Sequence, residues 1–210
     1  MKPSEKSAEF ESAVSVETMR RSDAYTIENF VPSKELMYRA AKGIFDHGKW
    51  EGKIAIVTGS GNNAGDGYAL AGILKEHGID SEIIRLFDKF SPDGEHFYKI
   101  AKEKGVPDRL YGGNSFSEYD VVVDCILGTG FSGEPRGVVR EAIEAINKSS
   151  AFVISADINS GLDGDSGKAV TAVRSSLTVS IGYYKKGMFL ADAKDLIGDL
   201  VNVDIGIVLV

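Results

Sequence analysis

With 210 residues and 43% hydrophobic content, the chain is long enough to bury a sizeable core, and one domain over residues 1–210 is expected. A formal charge of −7 excludes a broad basic face for nucleic acid or anionic membrane, so an anionic ligand would have to be held by local dipoles. The lone Cys125 excludes a disulfide framework. Together with the polar start Met1-Lys2-Pro3-Ser4-Glu5-Lys6 and the lack of a bilayer-length apolar run, it makes a cytoplasmic protein the expectation.

Residues 1–17 are polar apart from Phe10, Ala13 and Val14 and read as a mobile arm or weak helix. A helical pattern begins at Thr18 with Met19, Tyr25 and Ile27. Val31-Pro32-Ser33 breaks it and starts a second helix, in which Leu36, Met37, Ala40, Ala41 and Ile44 form a core-facing stripe. The apolar strand Ile54-Ala55-Ile56-Val57 then leads into the turn Gly59-Ser60-Gly61-Asn62-Asn63-Ala64-Gly65-Asp66-Gly67 and a helix that stops at His77-Gly78. Glycines let such a turn fold sharply and let a ligand approach, and the unpaired amides at the helix start favour an anion. The side chains of Asn62, Asn63 and Asp66 exceed what holding a phosphate requires.

Residues 81–86 read as the second strand, and Ser91-Pro92-Asp93 caps and opens a helix that runs to Lys104-Gly105. Tyr98 and Lys102 in that helix have the Tyr-x-x-x-Lys spacing of short-chain dehydrogenases. They lie too early in the chain for that pair, and ordinary surface residues are the better reading. A β-branched strand over residues 119–124 ends on Asp124, followed by Cys125-Ile126-Leu127-Gly128-Thr129-Gly130-Phe131-Ser132-Gly133. A helix opens at Arg136-Gly137. A strand over residues 151–156 runs into Asp157 and Ile158-Asn159-Ser160-Gly161-Leu162-Asp163-Gly164, and residues 177–181 and 200–203 read as two further strands.

This alternation predicts an α/β fold: a Rossmann-like three-layer αβα sandwich with a mostly parallel, doubly wound sheet. Parallel strands finish on one edge, so the loops 59–67, 124–133 and 157–164 should share a rim. If the first strand and the Asp124 strand flank the reversal of strand order, Asn63 and Asp124 face each other there, with Asp157 and Ser160 from the next strand. Each aspartate alone could simply cap its own turn. The three loops together favour function. The donors are all oxygen, with no His or Cys at metal spacing, which disfavours zinc and iron and suits an alkali or alkaline-earth ion.

At these residues the sequence resembles the YjeF N-terminal domain family, the NAD(P)H-hydrate epimerases. The family loop G-x-G-N-N-G-G-D-G is matched over residues 59–67. Its D-x-x-x-G-T-G motif is matched by Asp124, Gly128, Thr129 and Gly130, with Arg136 following. Its D-I-P-S-G-L-D-x-D-x-G motif is matched by Asp157, Ile158, Ser160, Gly161, Leu162, Asp163, Asp165 and Gly167. Asp23, Leu36, Met37 and Ala40 near the start, and Lys185-Lys186-Gly187, Gly198 and Asp204-Ile205-Gly206 near the end, are also similar. Two positions depart from the pattern. Ala64 replaces a glycine, which matters only if φ there is positive. Asn159 replaces the proline, which frees an N–H and should loosen the turn holding Ser160.

The resemblance implies an isomerase of nicotinamide nucleotide repair that interconverts the R and S hydrates of NADH and NADPH, with Asp157 as the catalytic acid/base group. It also implies substrate contacts from Asn62, Asn63, Ala64, Gly65, Asp66, Gly128, Thr129, Gly130, Phe131, Ser132, Gly133, Glu134 and Asp157. One potassium ion on Asn63, Asp124 and Ser160, a homodimer, and a functional link to a separate NAD(P)H-hydrate dehydratase complete the expectation. The alternatives are a non-catalytic nucleotide-binding or scaffold module on the same fold, and a NAD-dependent dehydrogenase. The second is opposed by glycine spacing other than G-x-G-x-x-G and by the lack of a clear acidic end to the second strand.

Overall fold

The structure, a computed structural model, describes residues 10–210. Residues 1–9, the first part of the expected arm, lie outside the described residues. From Ala13 onward the chain is docked. Val14 forms a parallel bridge with Lys185, and the Ser15 hydroxyl accepts the Thr18 N–H, capping α1 (Val16–Asn29). An arm reaching residue 17 is therefore not what is found. The reason is local: Ala13, Val14 and Met19 are buried.

The remaining elements are α2 (Ser33–His47), β1 (Ile54–Thr58), α3 (Asn62–Glu76), β2 (Ser81–Arg85), α4 (Pro92–Glu103), β3 (Asp108–Leu110), β4 (Val121–Cys125), α5 (Gly137–Asn147), β5 (Phe152–Ala156), β6 (Leu177–Ile181) and β7 (Asp199–Val203), with two short 3-10 turns before β7. Ser91 caps α4 through Gly94 N–H and Pro92 opens it, as its sequence signature requires. The short β3 was not foreseen. Its residues Asp108, Arg109 and Leu110 carry no hydrophobic alternation, and only pairing with β2 makes them a strand.

All seven strands are parallel, in the order β3-β2-β1-β4-β5-β6-β7. The chain builds outward from β1 through β2 to β3, then returns to lay β4 against the other side of β1. The reversal of strand order lies between β1 and β4, where open parallel sheets bind ligands. Every residue of β1, β4 and β6 is buried, the mark of strands covered on both faces. Side chains alternate between those faces. Ile54, Ile56, Val121, Val123 and Cys125 pack with helices α1 to α4, and Ala55, Val57 and Val122 pack with α5 and Phe116. The register sets Val57 beside Asp124, and Asp124 beside Ser155. With Thr178 beside Ser155 on β6, a polar row of Asp124, Ser155 and Thr178 thus crosses β4, β5 and β6.

Candidate active site

The site is assembled from turns at those carboxyl ends. β1 stops at Thr58 and turns through Gly59, where an added Cβ would lie 2.1 Å from the Ile126 carbonyl oxygen. Only glycine allows the turns after β1 and β4 to approach this closely. α3 follows with Gly61 as its cap, and among the described residues no side chain caps its first amides. These amides border a cleft of about 600 Å³ walled by α1 and α2, the start of α3, the turn after β4, and Asp157. Met37 and Leu36, expected as core, are buried and also form part of that wall.

Asp157 sits in a strained turn. Its φ is 65°, and the Ile158 N–H reaches back to the Ala156 carbonyl at 2.8 Å, a γ-turn of the rare positive-φ kind. β6 ends the same way, with Tyr183 N–H on the Ile181 carbonyl at 3.0 Å, but its central residue is Gly182 with φ 74°. Glycine adopts that conformation freely, whereas another residue is penalised by about 1–2 kcal/mol. An aspartate kept there despite the strain fits a functional position. Lys185, wholly buried, directs its ammonium onto Asp157 Oδ1 and donates to the Ile181 carbonyl at 2.9 Å. The Thr129 N–H points at Asp157 Oδ2 from 3.4 Å.

Gly128 shows how tightly the parts converge. A Cβ there would lie 3.2 Å from Asn63 Cβ and 3.5 Å from Asp157 Oδ2, so Asn63 and Asp157 flank the same backbone. Asn63 Nδ2 donates to the Leu127 carbonyl at 2.9 Å. The Ser160 hydroxyl accepts the Leu127 N–H at 2.8 Å and donates to Asp124 Oδ1. Asp124 lies beneath the cleft, fully buried, and also accepts the Ser160 N–H at 2.9 Å, the Ser155 hydroxyl at 3.0 Å and the Ile126 N–H at 3.2 Å. Burial pushes its carboxyl above the ordinary range, and these donors offset part of that rise. Asn63 Oδ1, by contrast, is buried without a hydrogen-bond partner. An amide oxygen with free lone pairs, linked through the Leu127 peptide to a hydroxyl and a carboxylate, is the donor chemistry of a hard cation.

Three further carboxylates, Asp23, Asp66 and Asp93, line the cleft. Asp66, in the first turns of α3, is pushed well above the ordinary range by burial and then by the negative charges of Asp157 and Asp23. Asp23, on α1, is raised by burial and then by Asp157. Asp23 and Lys185 stand out in the sequence only as matched family positions, because nothing local marks a lysine that follows a strand as buried against a carboxylate.

Of the expected contact residues, Asn62, Asn63, Asp66, Gly128, Thr129, Gly130, Phe131 and Asp157 line the cleft. Ala64 is buried, and the place of a Gly65 Cβ is filled by Met37 and approached by Gly94; these two pack the helix rather than face the cleft. Ser132, Gly133 and Glu134 also lie outside its lining, with Glu134 paired to Arg140. Asp124 and Ser160 meet Asn63 from below, through the Leu127 peptide. Tyr98 and Lys102 both bond Asp108, which is structural work at the sheet edge.

The two departures from the family pattern prove benign. Ala64 is helical, with no positive φ. Asn159 tightens its turn rather than loosening it. Its side chain donates to the Val173 carbonyl at 3.0 Å, the Ser175 hydroxyl at 2.9 Å and the Leu196 carbonyl at 2.9 Å, and accepts the Thr178 hydroxyl at 2.8 Å.

These features define a doubly wound α/β protein with its cleft at the topological switch point. Residues 33–187 match the family described as YjeF-related protein N-terminus, and the chain belongs to that family. It is 35% identical to a NAD(P)H-hydrate epimerase of Limosilactobacillus reuteri, over 90% of this chain and 92% of that protein. It is 38% identical to the bifunctional NAD(P)H-hydrate repair enzyme Nnr of Archaeoglobus fulgidus, over 82% of this chain and 37% of that protein. The crystal structure of yeast ynu0 superposes with a TM-score of 0.73 at 20% identity, covering 90% of this chain and 86% of that one, and shares the fold.

Proposed function

We infer that the chain is an isomerase that epimerises hydrated NADH and NADPH in the repair of nicotinamide nucleotides. Family membership and the epimerase relatives support the substrate class. The observation that carries the site is Asp157, held at positive φ and ion-paired with Lys185 at the wall of the cleft.

In the hydrate, the reacting carbon carries a hydroxyl and lies beside the ring nitrogen. Its hydroxyl leaves when protonated, with the nitrogen lone pair taking up the developing positive charge. Water returning to the opposite face inverts the centre and gives up a proton. In this reading Asp157 exchanges that proton, and general acid–base catalysis of this kind contributes about 10²–10⁴-fold. The free amides at the start of α3 are suited to a phosphate of the dinucleotide.

A potassium ion fits the oxygen set of Asn63, Asp124 and Ser160, and the unpartnered Asn63 Oδ1 is the feature that asks for it. When bound, such an ion would offset the repulsion between the cleft's carboxylates and a phosphorylated ligand. A homodimer and a dehydratase that acts on the same hydrate belong to the same reading; the bifunctional repair enzyme among the relatives supports the latter.

The test is R-to-S interconversion of hydrated NADPH by wild type and Asp157→Asn, the asparagine tolerating positive φ. Loss of at least about 100-fold with dinucleotide binding retained is expected. Binding without turnover by wild type would favour a non-catalytic module instead.

A further inference from the structure

The cleft holds more carboxylates than one proton exchange requires, and they are not equivalent. Asp157 has a dedicated cation in Lys185. Asp66 lines the same cleft from a different element, the first turns of α3, and among the described residues no N–H or O–H donor reaches its carboxyl. The charged and titratable groups around it come from every neighbouring element. Asp23 faces it from α1 and Asp157 from the turn after β5, Lys185 lies behind Asp157, Cys125 is at the end of β4, and Arg20 and Asp93 stand on the cleft wall. Lys185 is engaged by Asp157, the Ile181 carbonyl and Ser180. Arg20 is turned to Glu17 on the surface of α1. Asp66 is left facing like charges.

A carboxyl set among like charges in a cleft, with no donor of its own, holds its proton more tightly than one paired with a lysine. Paired carboxyl groups whose surroundings push their protonation apart divide into an acid and a base. Inversion at one carbon calls for such a pair, because water leaves one face and enters the other.

We propose that Asp66 is the general acid of this cleft and Asp157, with Lys185 as its positioning residue, the general base. The proposal rests on the epimerase reading. The Asp66 carboxyl proton passes to the hydroxyl oxygen as the carbon–oxygen bond breaks, water departs, and the ring nitrogen lone pair forms a carbon–nitrogen double bond. A water on the other face then adds to that carbon. Asp157 takes its proton, and the nitrogen recovers its lone pair. The substrate has exchanged one water for another. The enzyme has moved one proton from Asp66 to Asp157, and return of that proton through solvent resets it. The opposite conversion uses the reset in reverse.

Asp66→Asn, which preserves shape and removes the acid, should lower kcat at least about 100-fold and leave KM within about threefold. Wild-type kcat should fall on the alkaline side as Asp66 loses its proton, Asp66→Glu should recover part of the rate, and Asp23→Asn should lose less than Asp66→Asn. Infrared spectra of the protein alone at neutral pH should contain a protonated-carboxyl band that disappears in Asp66→Asn, a readout independent of substrate. Activity of Asp66→Asn within tenfold of an active wild type, or no loss of that band, overturns this assignment alone. A wild type that does not interconvert the hydrates overturns the epimerase reading and this assignment with it.

Discussion

Asn159→Ala isolates what a buried asparagine does where the family pattern has a proline. The side chain is fully buried and supplies two N–H donors, shared among Val173, Ser175 and Leu196, and one acceptor for Thr178. Each net hydrogen bond contributes about 1 kcal/mol, and a buried group left without its partner is penalised further. The Leu196 carbonyl keeps the Ser175 N–H at 2.8 Å, but among the described residues no other donor bonds the Val173 carbonyl. The expected loss is about 3 kcal/mol, which for a chain of this length lowers Tm by roughly 6–12 °C. Thermal melts and urea unfolding of wild type and Asn159→Ala measure it. Asn159→Pro should not restore the stability, because the proline that fits the family turn leaves the same buried groups unpaired here. A Tm unchanged within 1–2 °C for the alanine variant would refute the view that this side chain holds the turn carrying Ser160.

Asp66→Asn should become more stable relative to wild type as pH rises from 4 to 8. A carboxyl raised in the fold holds its proton more tightly than in the unfolded chain. Stability contributed there is full near and below the ordinary value of 3.8 and is lost as pH climbs through the raised folded value. Parallel melts at several pH values check the sign, and a constant difference would contradict it. Potassium should raise the Tm of wild type in a concentration-dependent way, by the linkage of binding to folding. The rise should vanish in Asn63→Ala, and an equal rise in both proteins would remove the cation from Asn63. Ranked with these, the loss of hydrate interconversion in Asp157→Asn is the most direct check of function.

The sequence by itself determined the layered α/β architecture, because apolar runs of strand length alternating with helical stripes leave few other ways to bury both faces of a parallel sheet. It also determined which loops share a rim, since parallel strands must deliver their ends to a single edge. Tertiary structure alone decided the rest. β3 exists only through its pairing with β2. Asn159 stabilises its turn through partners 14 to 37 residues away. The proton inventory of the cleft depends on Lys185 and Asp23 meeting Asp157 and Asp66 across long stretches of chain. Charge interactions and desolvation act through distance and enclosure, and neither is written in the order of residues along the polymer.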